Sequence, residues 1–248
     1  MARVVTTYST VDWSDDGALV TKTRSPAFDA RRRFRNELRV NRLLLEEPPP
    51  IPTPPMVGHS ARTRGLTFAA VAAEPLGPKY PLDLRGEQVD AMVELALRLR
   101  SYSPRRRWLR RFNAVRRLHL AHRFGLLTAS EAGHLVGLAR LVHTRPRFAH
   151  GDLTARNVLC EGATLHLIDW EWAGLYPDGY DLAFLWFSVV DVGGGRARVE
   201  QHVDGDPRTF LLSALLVQLW HLQWYVPPEF RAKHLVTRDE LVARLLGR

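Results

Sequence analysis

His150-Gly151-Asp152-Leu153-Thr154-Ala155-Arg156-Asn157-Val158-Leu159, followed after a short turn by Leu167-Ile168-Asp169-Trp170-Glu171-Trp172, is the stretch on which the reading of this 248-residue sequence turns. Val158-Leu159 and Leu165 to Ile168 read as two short strands around a Glu161-Gly162 turn. Such a hairpin carries Asn157, at the entry of its first strand, next to Asp169, at the exit of its second. Asp152 precedes Asn157 by five positions, in the loop that leads into the hairpin. A loop carboxylate can accept the proton of a hydroxyl, and an amide oxygen and a second carboxylate can converge on magnesium, a hard cation that prefers oxygen. Those are the groups that phosphoryl transfer requires. Singly, Asp152 reads as a helix cap, Asn157 as a turn residue and Asp169 as a strand terminator. Their joint spacing favours a site.

The pattern His-x-Asp-x-x-x-x-Asn with a downstream Ile-Asp-x-Glu resembles the catalytic and metal-binding loops of the aminoglycoside phosphotransferase and choline kinase group, which shares the bilobal protein-kinase fold. The resemblance implies Asp152 as catalytic base, Asn157 and Asp169 as magnesium ligands, His150 as a residue orienting the loop, and Glu171 as a further acid beside the metal. It also implies that Asp181, in Tyr180-Asp181-Leu182-Ala183, braces the catalytic loop from below. Arg156, four positions after the base, reads either as half of a surface ion pair or as a fork for the transferring phosphate. ATP and magnesium are the implied cofactors.

Working back towards the amino terminus, Val4 to Trp13 and Ala18 to Thr23 read as strands joined at Ser14-Asp15-Asp16-Gly17. A helix is expected to start at Ser25-Pro26 and run to about Leu45, before Pro48-Pro49-Pro50. A second hairpin follows, from Met56 to His59 and from Leu66 to Ala73. Glu74-Pro75-Leu76-Gly77-Pro78 then reads as a hinge that breaks regular structure. Lys22, in a strand, fits the kinase lysine that binds the α- and β-phosphates, with Glu37 as its partner on the helix. Glu74 and Leu76 would offer backbone groups to adenine. The stretch expected to cover the phosphates, Thr6-Thr7-Tyr8-Ser9-Thr10, contains no glycine, which makes close backbone approach harder.

Beyond the hinge the periodicity is helical. Val89, Met92, Val93, Ala96 and Leu97 form one buried stripe, and Thr128 to Glu131 can close a capping box. Leu135, Leu138 and Val142 would face inward. The expected architecture is therefore α+β and bilobal: a small β-rich lobe over residues 1–77 that binds nucleotide, and a larger, mainly helical lobe over 78–248 that carries catalysis and substrate.

Composition bounds the partners. One cysteine, Cys160, excludes an intramolecular disulfide and fits a reducing cytosol, and the first residues lack the pattern of a signal peptide. No apolar stretch is long enough to span a bilayer. The net charge of +9 is almost all arginine, since only Lys22, Lys79 and Lys233 are lysines. Thirteen arginines and one acid lie between Arg98 and Arg147. The run Arg105 to Arg111 reads as a solvated helical face, with nucleic-acid contact through Arg105 to Arg117 as the lesser alternative. Acids concentrated from Glu171 to Asp206 suggest a cationic acceptor such as an aminosugar or amino alcohol. Trp220 and Trp224, four apart, read as core or as part of a box for a quaternary ammonium. Two rival readings remain: an atypical protein kinase, which would carry Asp-Phe-Gly where this chain has Asp169-Trp170-Glu171, and a kinase-like binding module without activity.

Overall fold

Alternating strands come first in the chain, and they build a five-stranded antiparallel sheet in the order β1-β2-β3-β5-β4. Its members are β1 (Arg3–Val5), β2 (Ser9–Trp13), β3 (Leu19–Arg24), β4 (Met56–Ser60) and β5 (Gly65–Ala69). The computed structural model describes residues 3–5, 8–26, 29–77, 84–105, 108–142, 146–189, 192–224, 226 and 228–248. Thr6 and Thr7 of the phosphate-covering stretch, Pro78, Arg106, Arg107 and Tyr225 lie outside these residues. The single strand expected from Val4 to Trp13 is instead a hairpin, in which Val4 pairs with Val11. The Ser14 to Gly17 turn is present, with Asp16 accepting from the Ser14 hydroxyl and the Ala18 amide.

Helix α1 (Ala30–Glu46) buries Phe34, Val40, Leu43 and Leu44 at helical spacing. It starts later than Ser25-Pro26 suggested. The Asp29 carbonyl accepts from the Arg32 and Arg33 amides, and its carboxylate holds Arg33 Nε at 2.8 Å. The proline-rich crossing after α1 is pinned to the second lobe. Ile51 is buried, the Leu167 amide donates to the Pro52 carbonyl, and the Thr53 hydroxyl donates to the Leu167 carbonyl.

Strand β5 stops at Ala69, short of the expected Ala73. The chain does not lose regular structure at the hinge: Glu74–Pro75 forms β6 and pairs with β8, Glu74 opposite Cys160. This correction has a simple cause. Pro75 has no amide hydrogen to give, yet an edge position tolerates that. The three-stranded sheet β6-β8-β9, with β8 (Val158–Glu161) and β9 (Thr164–Leu167), therefore ties the crossing between lobes to the catalytic hairpin.

The larger lobe is helical. Its members are α2 (Gly86–Ser101), α3 (Ala114–Arg123), α4 (Ala129–Val142), α5 (Tyr180–Ser188), α6 (Gly195–Glu200), α7 (Pro207–Trp224) and α8 (Pro228–Leu246). Val89, Met92, Val93 and Ala96 are buried as expected, and the Thr128–Glu131 capping box is closed in both directions. Helices α5 and α7 are apolar on nearly every face, as elements at the centre of a core must be. Two strands went unread in the sequence: β7 (Arg147–Ala149) and β10 (Gly174–Tyr176), an antiparallel pair flanking the catalytic loop. Among the described residues of the Arg105 to Arg111 run none is helical; α2 ends at Ser101 and α3 begins at Ala114. Among the described residues no helix is long and apolar enough to cross a membrane.

Candidate active site

Strand β7 delivers the chain into His150-Gly151-Asp152, and the geometry there leaves little freedom. Gly151 has a φ of 78°, and a Cβ at that position would lie 2.6 Å from Tyr176 Oη and 2.9 Å from the Trp172 carbonyl oxygen. Only glycine fits. The Asp181 carboxylate, at the start of α5, accepts from the His150 amide at 2.8 Å and from the Gly151 amide at 2.9 Å. Burial pushes the Asp181 carboxyl up, against the opposing pull of His150 and those amides. His150 is fully buried against the edge of Trp170. Its Nε2 lies 2.9 Å from the Ile168 carbonyl, an acceptor only, so Nε2 carries the proton. The imidazole thus links the catalytic loop to the exit of β9 and does not reach the cleft.

Asp152 and Asn157 close on each other within one short loop. Asn157 Nδ2 donates to the Asp152 carbonyl at 2.9 Å and to Asp152 Oδ2 at 3.2 Å. With the nitrogen so used, the Asn157 amide oxygen is the atom a cation would meet. Leu153, Ala155 and Val158 are buried beneath the loop. Arg156 is exposed on the cleft wall.

The opposite wall comes from the sheet. Lys22 Nζ lies 3.0 Å from Glu37 Oε1 and 2.6 Å from Asp169 Oδ1, so the expected strand lysine, helix glutamate and hairpin aspartate meet. Burial disfavours the Lys22 charge, but Asp169 and Glu37 outweigh it and hold the ammonium above its ordinary range. Burial would likewise raise Asp169, and Lys22 and Arg24 more than reverse it, leaving the carboxyl well below its usual range. Asp169 has a φ of 65°, a left-handed conformation that aspartate accepts more readily than most residues.

Sequence reasoning missed Arg24. It stands two residues beyond Lys22 on the same strand face, the period-2 signal that would have found it. Arg24 is 5% exposed, and its Nη2 contacts Glu37 and Glu171 and lies 3.7 Å from Asp169. Arg33 Nη1 approaches Glu171 Oε1 at 3.4 Å. Three carboxylates therefore face three cations. Burial and the neighbouring Asp169 charge still push Glu171 up to about 7, against the pull of Lys22 and Arg24. From α1, Asn36 Nδ2 donates to the carbonyls of Glu171 and Ala173, locking the short 3₁₀ turn Trp170–Trp172 onto the small lobe.

Glu37, Asp169 and Glu171 present oxygens within 4.8 Å of one another. These are hard oxygen donors of the kind magnesium takes. These residues line one cleft of about 1170 Å³, which also reaches Tyr8, Ala72, Phe184, Phe187, His221 and Trp224. That volume accommodates a nucleotide and a second small molecule. Glu74 lies on the wall, whereas the Leu76 amide donates to the Val158 carbonyl and its carbonyl accepts from Gln88.

A small sheet and a helical lobe around a cleft holding a lysine–glutamate pair, a hairpin aspartate and an Asp–Asn loop define the protein-kinase-like fold. The family model for the phosphotransferase enzyme family matches residues 6–212, and the chain belongs to that family. Solved structures agree at the level of the fold. A choline/ethanolamine kinase family protein from Mesorhizobium loti superposes with a TM-score of 0.66 at 16% identity, covering 99% of this chain and 86% of its own. Choline kinase LicA from Streptococcus pneumoniae gives 0.66 at 12% identity, covering 97% and 91%. The streptomycin–ATP ternary complex of APH(2")-IIa gives 0.65 at 16% identity, covering 98% and 92%. No curated protein sequence matches the chain.

Proposed function

We propose that the protein transfers the γ-phosphate of ATP to a hydroxyl of a small molecule, with residues 1–77 holding the nucleotide and 78–248 the acceptor. The observation that carries this is the meeting of Lys22, Glu37 and Asp169 across one cleft from the Asp152–Asn157 pair. A magnesium ion held by Asp169, Asn157 and Glu171 would neutralise phosphate charge, which is the chemistry it supplies in such sites. Lys22, fixed by Glu37, meets the α- and β-phosphates. The Ala73 to Pro75 crossing faces adenine, with Glu74 on the cleft wall, whereas Leu76 has its amide and carbonyl engaged by Val158 and Gln88 and offers adenine nothing. Asp152 accepts the acceptor's proton as the bond to phosphorus forms, and Asn157 orients its carboxylate. Arg156, at the open side, reaches the transferring phosphate. His150 and Asp181 act through the loop they hold.

Five of the acids that suggested a cationic acceptor are engaged elsewhere, while Glu171 lines the cleft and Asp191 lies outside the described residues. Asp178 and Asp204 hold Arg100, Asp206 holds Arg208, Glu200 accepts from the Trp186 indole, and Asp181 holds the loop amides. These five acids do not set the acceptor's charge.

ADP release, measured with Mg-ATP across aminoglycosides, amino alcohols, sugars and sugar acids, tests the reaction. At least one acceptor should raise it, and Asp152→Ala should lower that rate by about 10²- to 10⁴-fold. A wild-type protein that binds no Mg-ATP and releases no ADP with any acceptor would return the chain to the binding-module reading.

A further inference from the structure

The segment around Arg110 is fixed beside the catalytic loop by backbone. The Leu175 amide donates to the Arg110 carbonyl at 2.7 Å and the Phe112 amide to the Leu175 carbonyl at 2.8 Å, so the segment around Arg110 is strapped to β10. Gly174 permits this: a Cβ there would lie 2.4 Å from the Arg110 oxygen. Because β10 pairs with β7, the strap lies one strand away from the entry to Asp152.

The guanidinium groups of this region stack on Trp172 and on Trp220, one of the two tryptophans that the sequence offers to a cationic ligand. Arg110 Cζ lies 5.2 Å and Arg33 Cζ 4.6 Å from the Trp172 ring centre, and Arg117 Cζ lies 4.1 Å from that of Trp220. Trp172, Trp220 and Trp224 form a row with centroids 6.1 and 6.0 Å apart, and Trp224 lines the cleft. A π-face covered by an arginine has no place for a second cation.

Charge accounting points the same way. Arg33 is matched by Asp29 and Glu171, but among the described residues no acid is paired with Arg110 or Arg117. Arg117 Nη1 is buried without a hydrogen-bond partner. Burial, then the charges of Arg110 and Arg116, depress the Arg32 guanidinium, the mark of crowded like charges. Burial raises the Tyr176 phenol, Arg110 and Arg117 oppose that rise and Asp152 adds to it, so the two arginines and the base share one neighbour, whose hydroxyl donates to the Trp172 carbonyl.

We infer that the acceptor is an anion: a hydroxylated small molecule whose carboxylate or phosphate is held by Arg110 and Arg117 while its hydroxyl faces Asp152. This rests on the phosphotransferase reading of the same cleft and names its substrate class. Arginine suits the role, since its planar fork meets both oxyanions bidentately and keeps its charge when buried.

Titration calorimetry without nucleotide tests it, using gluconate as the carboxylate, glycerol 3-phosphate and inorganic phosphate as the phosphates, and glucosamine, choline and glucose as controls. At least one anion should bind at least about tenfold more tightly than every control. Arg110→Gln and Arg117→Gln should each weaken that anion by about tenfold or more, and Arg117→Lys should recover part of the loss. Which oxyanion loses affinity separates carboxylate from phosphate recognition. Tighter binding of glucosamine or choline, anion binding unchanged in both glutamine variants, or binding of none of the anions overturns the proposal. So does tight, salt-sensitive binding of a single-stranded RNA oligonucleotide without any small-anion binding, which makes the arginines a nucleic-acid surface. A non-hydrolysable ATP analogue with magnesium, titrated into the same proteins, keeps the two readings apart. If it binds wild type and variants alike, the phosphotransferase reading stands whatever the anions do.

Discussion

Arg24 touches three carboxylates in a surrounding that admits almost no water. Its charge is what allows Glu37, Asp169 and Glu171 to sit together before any metal arrives. With Lys22, Arg24 and Arg33 opposing them, the cluster is compensated, so free magnesium gains little by entering it, whereas magnesium carried on a triphosphate brings its own negative charge. Arg24→Met keeps the bulk of the side chain and removes the charge. Breaking a buried ion pair from one side leaves the other partner uncompensated, and the loss should be about 3 kcal/mol by urea titration. The variant should also respond to magnesium without nucleotide: its melting temperature should rise with added Mg2+, while that of the wild type stays flat. A wild-type protein that is stabilised by free magnesium as strongly as the variant would show that Arg24 does not guard the cluster. This residue was readable in principle. Lys22 was found by its kinship to a known motif, and Arg24, which shares its strand face, needed only the two-residue period of a strand.

At the scale of elements, the structure depends on close backbone approaches that leave no periodic signature. The β8–β9 hairpin and the α4 capping box were legible because each is local, written in a turn pair or in a residue and its third neighbour. Strands β7 and β10 were not. Each has three residues, and their partners lie far apart in the chain, so no alternation could develop. The arginine strap is illegible for the same reason, and in sequence its charge run reads as a helix face. Gly174 is where these pieces meet. Gly174→Ala must move either the Arg110 carbonyl or β10, because the added carbon would sit 2.4 Å from that oxygen. The expected cost is about 1–3 kcal/mol in a denaturant titration. Catalysis should suffer in addition, because β10 supports the β7 strand that feeds Asp152. Gly133→Ala, inside α4 where a Cβ meets nothing within 4 Å, is the matching control and should leave catalysis near wild type while raising stability by about 0.5–1 kcal/mol.

Across the whole molecule, the two lobes are joined by polar ties and the larger one is held by an apolar centre. Lys22, Arg24, Asn36 and Thr53 reach from the small lobe to the strand end and turn at 167–173, so nucleotide groups and catalytic groups share one framework. The bilobal architecture was legible because composition changes along the chain from strand-forming to helix-forming. What sequence could not weigh was which buried polar groups the helical centre accepts. Between α7 and α8, Gln218 Nε2 donates to His234 Nδ1 at 2.9 Å and to the His234 carbonyl at 2.8 Å, and both side chains are fully buried. That geometry requires Nδ1 to be unprotonated. Burial, with smaller contributions from Lys233 and Arg196, pushes the imidazole down to about 4. A histidine that is harder to protonate in the folded chain than in the unfolded one, where its ordinary value is 6.5, makes the unfolded state the better proton acceptor between these values. The stability it supports is complete above pH 6.5 and is lost as the pH falls towards 4. His234→Asn keeps an acceptor for the Gln218 amide and cannot titrate. Its melting temperature should lie below that of wild type at about pH 8, because buried ring volume is lost, and the gap should narrow steadily towards about pH 4.5. Parallel curves for the two proteins would mean that His234 does not carry the acid sensitivity, since the acidic groups that titrate lower down are common to both and cancel in the difference.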